Sequence, residues 1–173
     1  MSAPSVLPQS LDWRPMTPDD LDGVVDVARL SFPDHFEGYD CFEERQRLAP
    51  EGCFVLASSA GDVRGYLVAY PFKRNAAPPL NSLIGTLPQG AETIYLHDLA
   101  LHPETRGGGY TRTVIERLAS QAKAAGWPMI SLVAVNKAGD FWSRMGFVAQ
   151  NPEGMAEKLA TYGEDAAYME RPL

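Results

Sequence analysis

Cysteine is scarce: the 173 residues contain only Cys41 and Cys53. Neither stands in a CxxC pair or beside a histidine at metal-ligand spacing, so a disulfide framework and a structural zinc site are both excluded, and the expectation is two reduced, partly buried thiols with no metal. Long apolar runs are missing too. No stretch approaches the ~18 consecutive apolar residues of a membrane-spanning helix. Residues 1–8 carry no lysine or arginine and no apolar core of signal-peptide length. These absences lead to the expectation of a soluble, cytoplasmic protein. Positive charge is also short, with 15 Lys+Arg against 22 Asp+Glu and a net charge of -7. A surface that tracks nucleic acid or anionic membrane is therefore not expected, although a local basic pocket for one anionic ligand is compatible with the balance. What remains, 45% hydrophobic and 21% charged, is a globular composition. A chain of this length buries roughly two thirds of its unfolded surface, so one domain over residues 1–173 is expected.

The first helix signal is Thr17 as cap, Pro18 at the first helical position, and Asp19 and Asp20 at the positive end of the dipole. Leu21, Val24, Val25, Ala28 and Leu30 then recur near helical spacing, and Phe32-Pro33 ends the run. Asp40 with Glu43 reads as a capping box opening a second helix to about Leu48. Two β-rich runs, 53–57 and 63–70, flank a polar turn and predict a hairpin. Residues 71–90 hold Pro71, Pro78, Pro79 and Pro88 with little periodicity. Such a stretch reads equally as a functional flap or as a disordered connector.

The pattern tightens from residue 93. A strand over 93–101, a glycine turn, an amphipathic helix over 110–125 stopped by Gly126 and Pro128, and a strand over 129–135 form a βαβ unit. A short helix over 138–145, a strand starting at 147 and a last edge strand over 168–171 complete the expectation.

The glycine turn carries the chemistry. Gly107, Gly108 and Gly109, set between strand and helix, allow a tight turn whose N–H groups converge at a helix N-terminus. Unpaired donors and the positive dipole end there suit a phosphate even on an acidic protein. Arg106 and Arg112 flank the spot and can add charge-assisted hydrogen bonds. The run lacks the GxGxxG spacing and the Gly-Lys-Ser/Thr ending of a P-loop, which disfavours a dehydrogenase or an NTPase.

Leu99-Ala100-Leu101-His102-Pro103, leading into Arg106-Gly107-Gly108-Gly109-Tyr110-Thr111, resembles the Arg/Gln-x-x-Gly-x-Gly/Ala motif of the GNAT acetyltransferase superfamily. Val133-Ala134-Val135-Asn136 followed by Phe141-Trp142-Ser143-Arg144-Met145-Gly146-Phe147 resembles that family's strand–Asn–helix–Gly-Phe segment. The resemblance implies an α/β fold of the mixed α+β kind: a twisted mixed sheet, helices on both faces, and a splayed parallel strand pair. It also implies an N-acetyltransferase passing an acetyl group from acetyl-CoA to a primary amine by direct attack. On that reading Leu99, Ala100 and Leu101 bind the pantetheine arm, and the N–H of Leu101 stabilises the oxyanion. Arg106, Gly107, Gly108, Gly109, Tyr110 and Thr111 hold the pyrophosphate, and Asn136 meets the arm near the splay. The acceptor is a small-molecule or peptide amine, and relatives permit a homodimer.

Two positions depart from the family. Thr111 stands where Gly or Ala is usual, and Trp142 stands where many members carry a tyrosine that protonates the leaving thiolate. An indole cannot do that, so Trp142 reads as packing under the CoA thiol. This keeps a non-catalytic acyl-CoA-binding module as the alternative. His97 and Asp98 are the candidate bases; strand alternation is expected to send them to opposite faces, with Tyr95 on the side of His97. Tyr162 is either a substitute acid or an ordinary surface tyrosine. His97, Asp98 and His102 have no recognised metal-ligand spacing. His35 lines the acceptor mouth or faces solvent. Asp34, Glu37, Asp40, Glu43 and Glu44 make an acidic region that either attracts a cationic amine or is a plain solvated face.

Overall fold

The computed structural model describes residues 10–33 and 37–173. The expectations for Asp34 and His35 fall outside them. Strand β1 (Leu11–Pro15), which sequence patterning did not reveal, precedes helices α1 (Leu21–Ser31) and α2 (Tyr39–Leu48). The hairpin follows as β2 (Cys53–Ser58) and β3 (Val63–Phe72), then β4 (Thr93–Leu101), α3 (Tyr110–Ala124) and β5 (Met129–Ala134). Helix α4 (Gly139–Arg144), strand β6 (Val148–Ala149), a short helix α5 (Ala156–Ala160) that also escaped the sequence reading, and β7 (Ala167–Pro172) end the chain.

The strands form one seven-stranded sheet in the order β1-β2-β3-β4-β5-β7-β6. β4 and β5 pair in parallel, whereas the other neighbours are antiparallel. The sheet is mixed, as expected. β7 is not an edge strand, however: it lies between β5 and β6 and pairs with both. Apolar side chains of alternating strand positions pack on two faces. On one, Tyr66, Val68 and Tyr70 meet Val24 and Phe42 from α1 and α2; on the other, Leu67 and Ala69 meet Val114, Ile115 and Leu118 of α3.

Helix signals were read more accurately at some ends than at others. Thr17 and Asp20 form a capping box, but it opens a single 3-10 turn ahead of α1. Leu21, Val24, Val27 and Ala28 are the buried positions of α1, and Leu30 points outward with 56% of its surface exposed. The Asp40–Glu43 box is not formed. α2 is capped by Gly38 without a side-chain bond, and both acids are exposed. α3 ends as its sequence demands: Gly126, at φ +88°, gives its N–H to Lys123 while Trp127 gives its N–H to Ala122, a left-handed stop only glycine adopts easily.

Residues 73–92 are an ordered strap across α2. The Glu44 carboxylate accepts the N–H groups of Ile84 and Gly85, Glu37 accepts that of Asn81, and Arg45 donates to the carbonyl of Ser82. At the start of the strap Arg74 makes a two-pronged bond to Glu170. Glu37 and Glu44 are thus buried, not a solvated face, because they satisfy backbone donors no other element reaches. Removing the Glu44 carboxylate (Glu44→Ala) is expected to cost about 1–3 kcal/mol in urea denaturation, the scale for orphaning such donors. Among the described residues no helix is long and apolar enough to cross a membrane.

Candidate functional site

β4 and β5 pair only at Ile94–Ile130 and Tyr95–Ser131. Thr93 pins the base of this short ladder, its hydroxyl bonding the Ser131 hydroxyl at 3.0 Å. Beyond it the strands part. The β3–β4 register jumps from Ala69–Leu96 to Val68–Asp98, leaving His97 as an extra residue, and a bulge of this kind bends its strand and re-aims its side chains. Further along, the N–H of His102 bonds Arg64 on β3 at 2.7 Å, so alternation turns the N–H groups of Leu101 and Leu99 the other way, into the gap.

A cavity of about 500 Å³ fills that gap. Leu99, Ala100 and Leu101 form one wall; Val133, Val135 and Asn136 form the other. Asn136 and Lys137 adopt left-handed backbone at φ +53° and +62°, a conformation asparagine tolerates better than most residues. Arg106 and Thr111 stand at the mouth. Gly107, Gly108, Gly109 and Tyr110 continue from there, and the three glycines are solvent-exposed. Gly107 and Gly109 take φ +86° and +79°, and Gly109 caps the fifteen-residue α3. Among the described residues, no backbone or side-chain oxygen accepts a well-formed hydrogen bond from the N–H groups of the three glycines. Trp142 lines the cavity beside Phe141 and packs edge-on against it and Phe147, with ring centres 5.0 and 5.4 Å apart.

The bulge overturns the expected separation of His97 and Asp98. Both point to the β3 face that carries Tyr66 and Tyr70: the Tyr66 hydroxyl donates to Asp98 at 2.6 Å, and the Tyr70 hydroxyl lies 3.2 Å from His97 Nδ1. Tyr95 does share the side of His97, with ring centres 5.9 Å apart. His97 Nε2 bonds Glu37, whose other oxygen pairs with Arg45 at 3.4 Å. The His97 side chain is only 2% exposed, and both ring nitrogens are engaged. Asp98 keeps partial exposure and lines the cavity.

Electrostatics separate the two acids. Burial pushes the Glu37 carboxyl up, but His97, Arg45 and the Asn81 N–H more than offset this and hold it below the usual range. Burial dominates at Asp98 and raises its carboxyl to about 6, despite His97 and the Tyr66 hydroxyl. The His97 ring bridges the two elements, with Nε2 on the Glu37 carboxylate and Nδ1 facing the Tyr70 hydroxyl.

Tyr162 is 6% exposed, not a surface residue. It gives its hydroxyl to the Pro78 carbonyl and closes a second cavity of about 70 Å³, while the larger one lacks it. Glu37, Arg45, Tyr66, Tyr70 and Phe141 complete the site. Glu37 stood out in the sequence only as one acid among five and Phe141 only within the segment that resembles the family; Arg45, Tyr66 and Tyr70 read as ordinary helix or strand residues because their convergence is non-local.

The family model described as the acetyltransferase (GNAT) family matches residues 21–147. The chain belongs to that family. Among solved structures, this member of the GNAT family resembles the loading GNATL domain of CurA from Lyngbya majuscula at TM-score 0.76 and 11% identity, over 94% of this chain and 98% of that one. Chaetomium thermophilum Naa20 in complex with a bisubstrate analogue is similar at TM-score 0.71 and 19% identity, over 94% and 86% of the two chains. The Escherichia coli GNAT family N-acetyltransferase YhbS in complex with CoA gives TM-score 0.61 and 17% identity over 97% and 84%. No curated protein sequence matches the chain. At these identities the likeness is one of fold, and the GNAT fold accounts for the gap, the glycine turn and the helix that follows it.

Proposed function

We propose that this GNAT protein transfers an acetyl group from acetyl-CoA to a primary amine by direct attack within a ternary complex. The observation that carries the proposal is the gap between β4 and β5, which leads from the glycine turn to Asp98 and there meets the second cavity. That two structural neighbours are in complex with a bisubstrate analogue and with CoA supports a CoA donor.

The residues divide the work by position. Residues 107–111 offer free N–H groups and a helix N-terminus to the pyrophosphate, with Arg106 beside them. Leu101 offers its N–H to the pantetheine arm. Leu99, adjacent to Asp98, is the nearer donor to the acceptor and offers its N–H to the thioester oxygen, where negative charge develops. An arriving ammonium must lose two protons. One leaves to solvent before the attack. Asp98 takes the other and, lining both cavities, hands it to the leaving thiolate. This supplies the acid that Trp142 cannot.

Asp98→Asn tests the role. Its raised carboxyl means that the folded state is penalised as pH rises through about 6. Stability from this group is complete below the unfolded carboxylate range and is lost above about 6. The variant should therefore be more stable than the native chain at pH 8, by on the order of 1–3 kcal/mol, and little different at pH 4. Its kcat should fall about 10²–10⁴-fold. In the native chain, kcat/KM should decline below pH 6 as Asp98 protonates.

The deciding experiment is thiol release from acetyl-CoA over an amine panel, alongside calorimetry of acetyl-CoA binding. Tight binding without turnover on any amine would establish the binding-module alternative that Trp142 keeps open.

A further inference from the structure

The smaller cavity describes the acceptor more closely. It measures about 70 Å³, room for roughly five water-sized groups. Phe32, His97, Asp98, Val133 and Val135 line both it and the larger cavity, so the two meet beside Asp98. Leu80, brought in by the strap, and Tyr162 add to its wall. Tyr162 and the strap are locked together by the bond from the tyrosine hydroxyl to Pro78.

Its polarity is one-sided. Two carboxylates reach its wall, and they differ. Glu37 is matched by Arg45 and His97 and accepts the Asn81 N–H. Asp98 receives the Tyr66 hydroxyl and is paired with no lysine or arginine among the described residues. Among the described residues no lysine or arginine lines the cavity. Arg45, only 1% exposed, directs its charge to Glu37 and to the carbonyls of Cys41 and Ser82. An ammonium entering here finds a carboxylate at the junction with the channel. A carboxylate entering here would be buried beside Glu37 and Asp98 without a cation, which is strongly unfavourable.

We infer that the acceptor is a compact, mainly apolar primary amine with no carboxylate near its nitrogen. Its ammonium sits at Asp98 and its carbon skeleton lies against Phe32, Leu80, Val133 and Val135. This rests on the acetyl-transfer reading above and narrows it. A second ammonium, as in a polyamine, is disfavoured: among the described residues only Glu37, Leu80 and Tyr162 line the cavity beyond the junction, and Glu37 is already matched by Arg45 and His97.

The test uses the full chain, acetyl-CoA and four acceptors: isopentylamine, leucine, leucinamide and spermidine. Leucine is isopentylamine with a carboxylate added beside the nitrogen, and leucinamide replaces that charge with a neutral group. In thiol-release kinetics, kcat/KM for isopentylamine should exceed that for leucine and for spermidine by roughly a hundredfold or more, with leucinamide between. Leucine or spermidine used as well as isopentylamine would overturn the inference and leave acetyl transfer standing. Turnover of none of the four would overturn the inference, and absence of turnover across the wider amine panel as well, with acetyl-CoA bound in calorimetry, would overturn both. Leu80→Arg adds a cation to the cavity wall and should shift the leucine-to-isopentylamine ratio upward by about tenfold. Should that variant fail to fold, leucine against leucinamide in the native protein reads the same charge, and leucine the better of the two would overturn the inference.

Discussion

Gly109→Asp is expected to abolish measurable acetyl-CoA binding while leaving the fold close to native. A Cβ built at Gly109 meets nothing within 4 Å, so the side chain has room. The φ of +79° strains most side chains but is among those aspartate tolerates, at a cost of about 1 kcal/mol. The change that matters is charge: a carboxylate at the cap of α3 occupies the place proposed for the pyrophosphate and takes up its N–H donors. Gly108→Asp should act likewise, with the Tyr110 ring, 2.9 Å from the added Cβ, swinging aside. Calorimetry should show Kd raised more than 100-fold in both. Gly109→Asn, of the same size but neutral, should weaken binding far less. Unchanged affinity in both aspartate variants would make the turn purely structural.

Arg45→Met is expected to be the most destabilising single change at the site. The guanidinium is buried among Glu37, the Cys41 carbonyl and the Ser82 carbonyl. Its loss leaves Glu37 charged, with only His97 and the Asn81 N–H as partners. Breaking one side of a buried pair costs about 3–5 kcal/mol, which equilibrium urea denaturation would read directly. Glu37→Gln combined with Arg45→Met removes both charges and should recover most of that loss, since residues sharing a network do not act additively. The double variant should nonetheless transfer acetyl groups poorly, because the carboxylate that holds the His97 ring at the cavity wall is gone. A single variant as stable as the native chain would show that the pair contributes nothing to holding the strap on α2.

Much of this was legible in one dimension wherever the responsible forces are local. The α3 face of Val114, Ile115, Leu118, Ala119 and Ala122 is buried throughout, because a 3.6-residue period must place those positions together. The glycine turn could be found because left-handed backbone at Gly107 and Gly109 leaves its mark in composition. The reading failed where a partner distant in sequence decides. β1 has too few residues to show a period, and it exists because Leu11–Pro15 extends the sheet beside β2. The outward turn of Leu30 could not be seen either, since spacing reports which positions align but not where the apolar stripe ends.

The sequence by itself determined the order of the elements from β4 to β6, the glycine turn, and membership of the GNAT family, all through short-range geometry and residue type. Tertiary structure alone decided that His97 and Asp98 share a face, because a bulge is a mismatch between two strands and no single strand carries it. It also decided that Glu37 and Arg45 are buried partners, and that a proline-rich strap brings Leu80 to the second cavity. Burial and pairing set whether a carboxylate is matched or left to meet a ligand. Both depend on what the remainder of the chain packs against it, which residue identity does not contain.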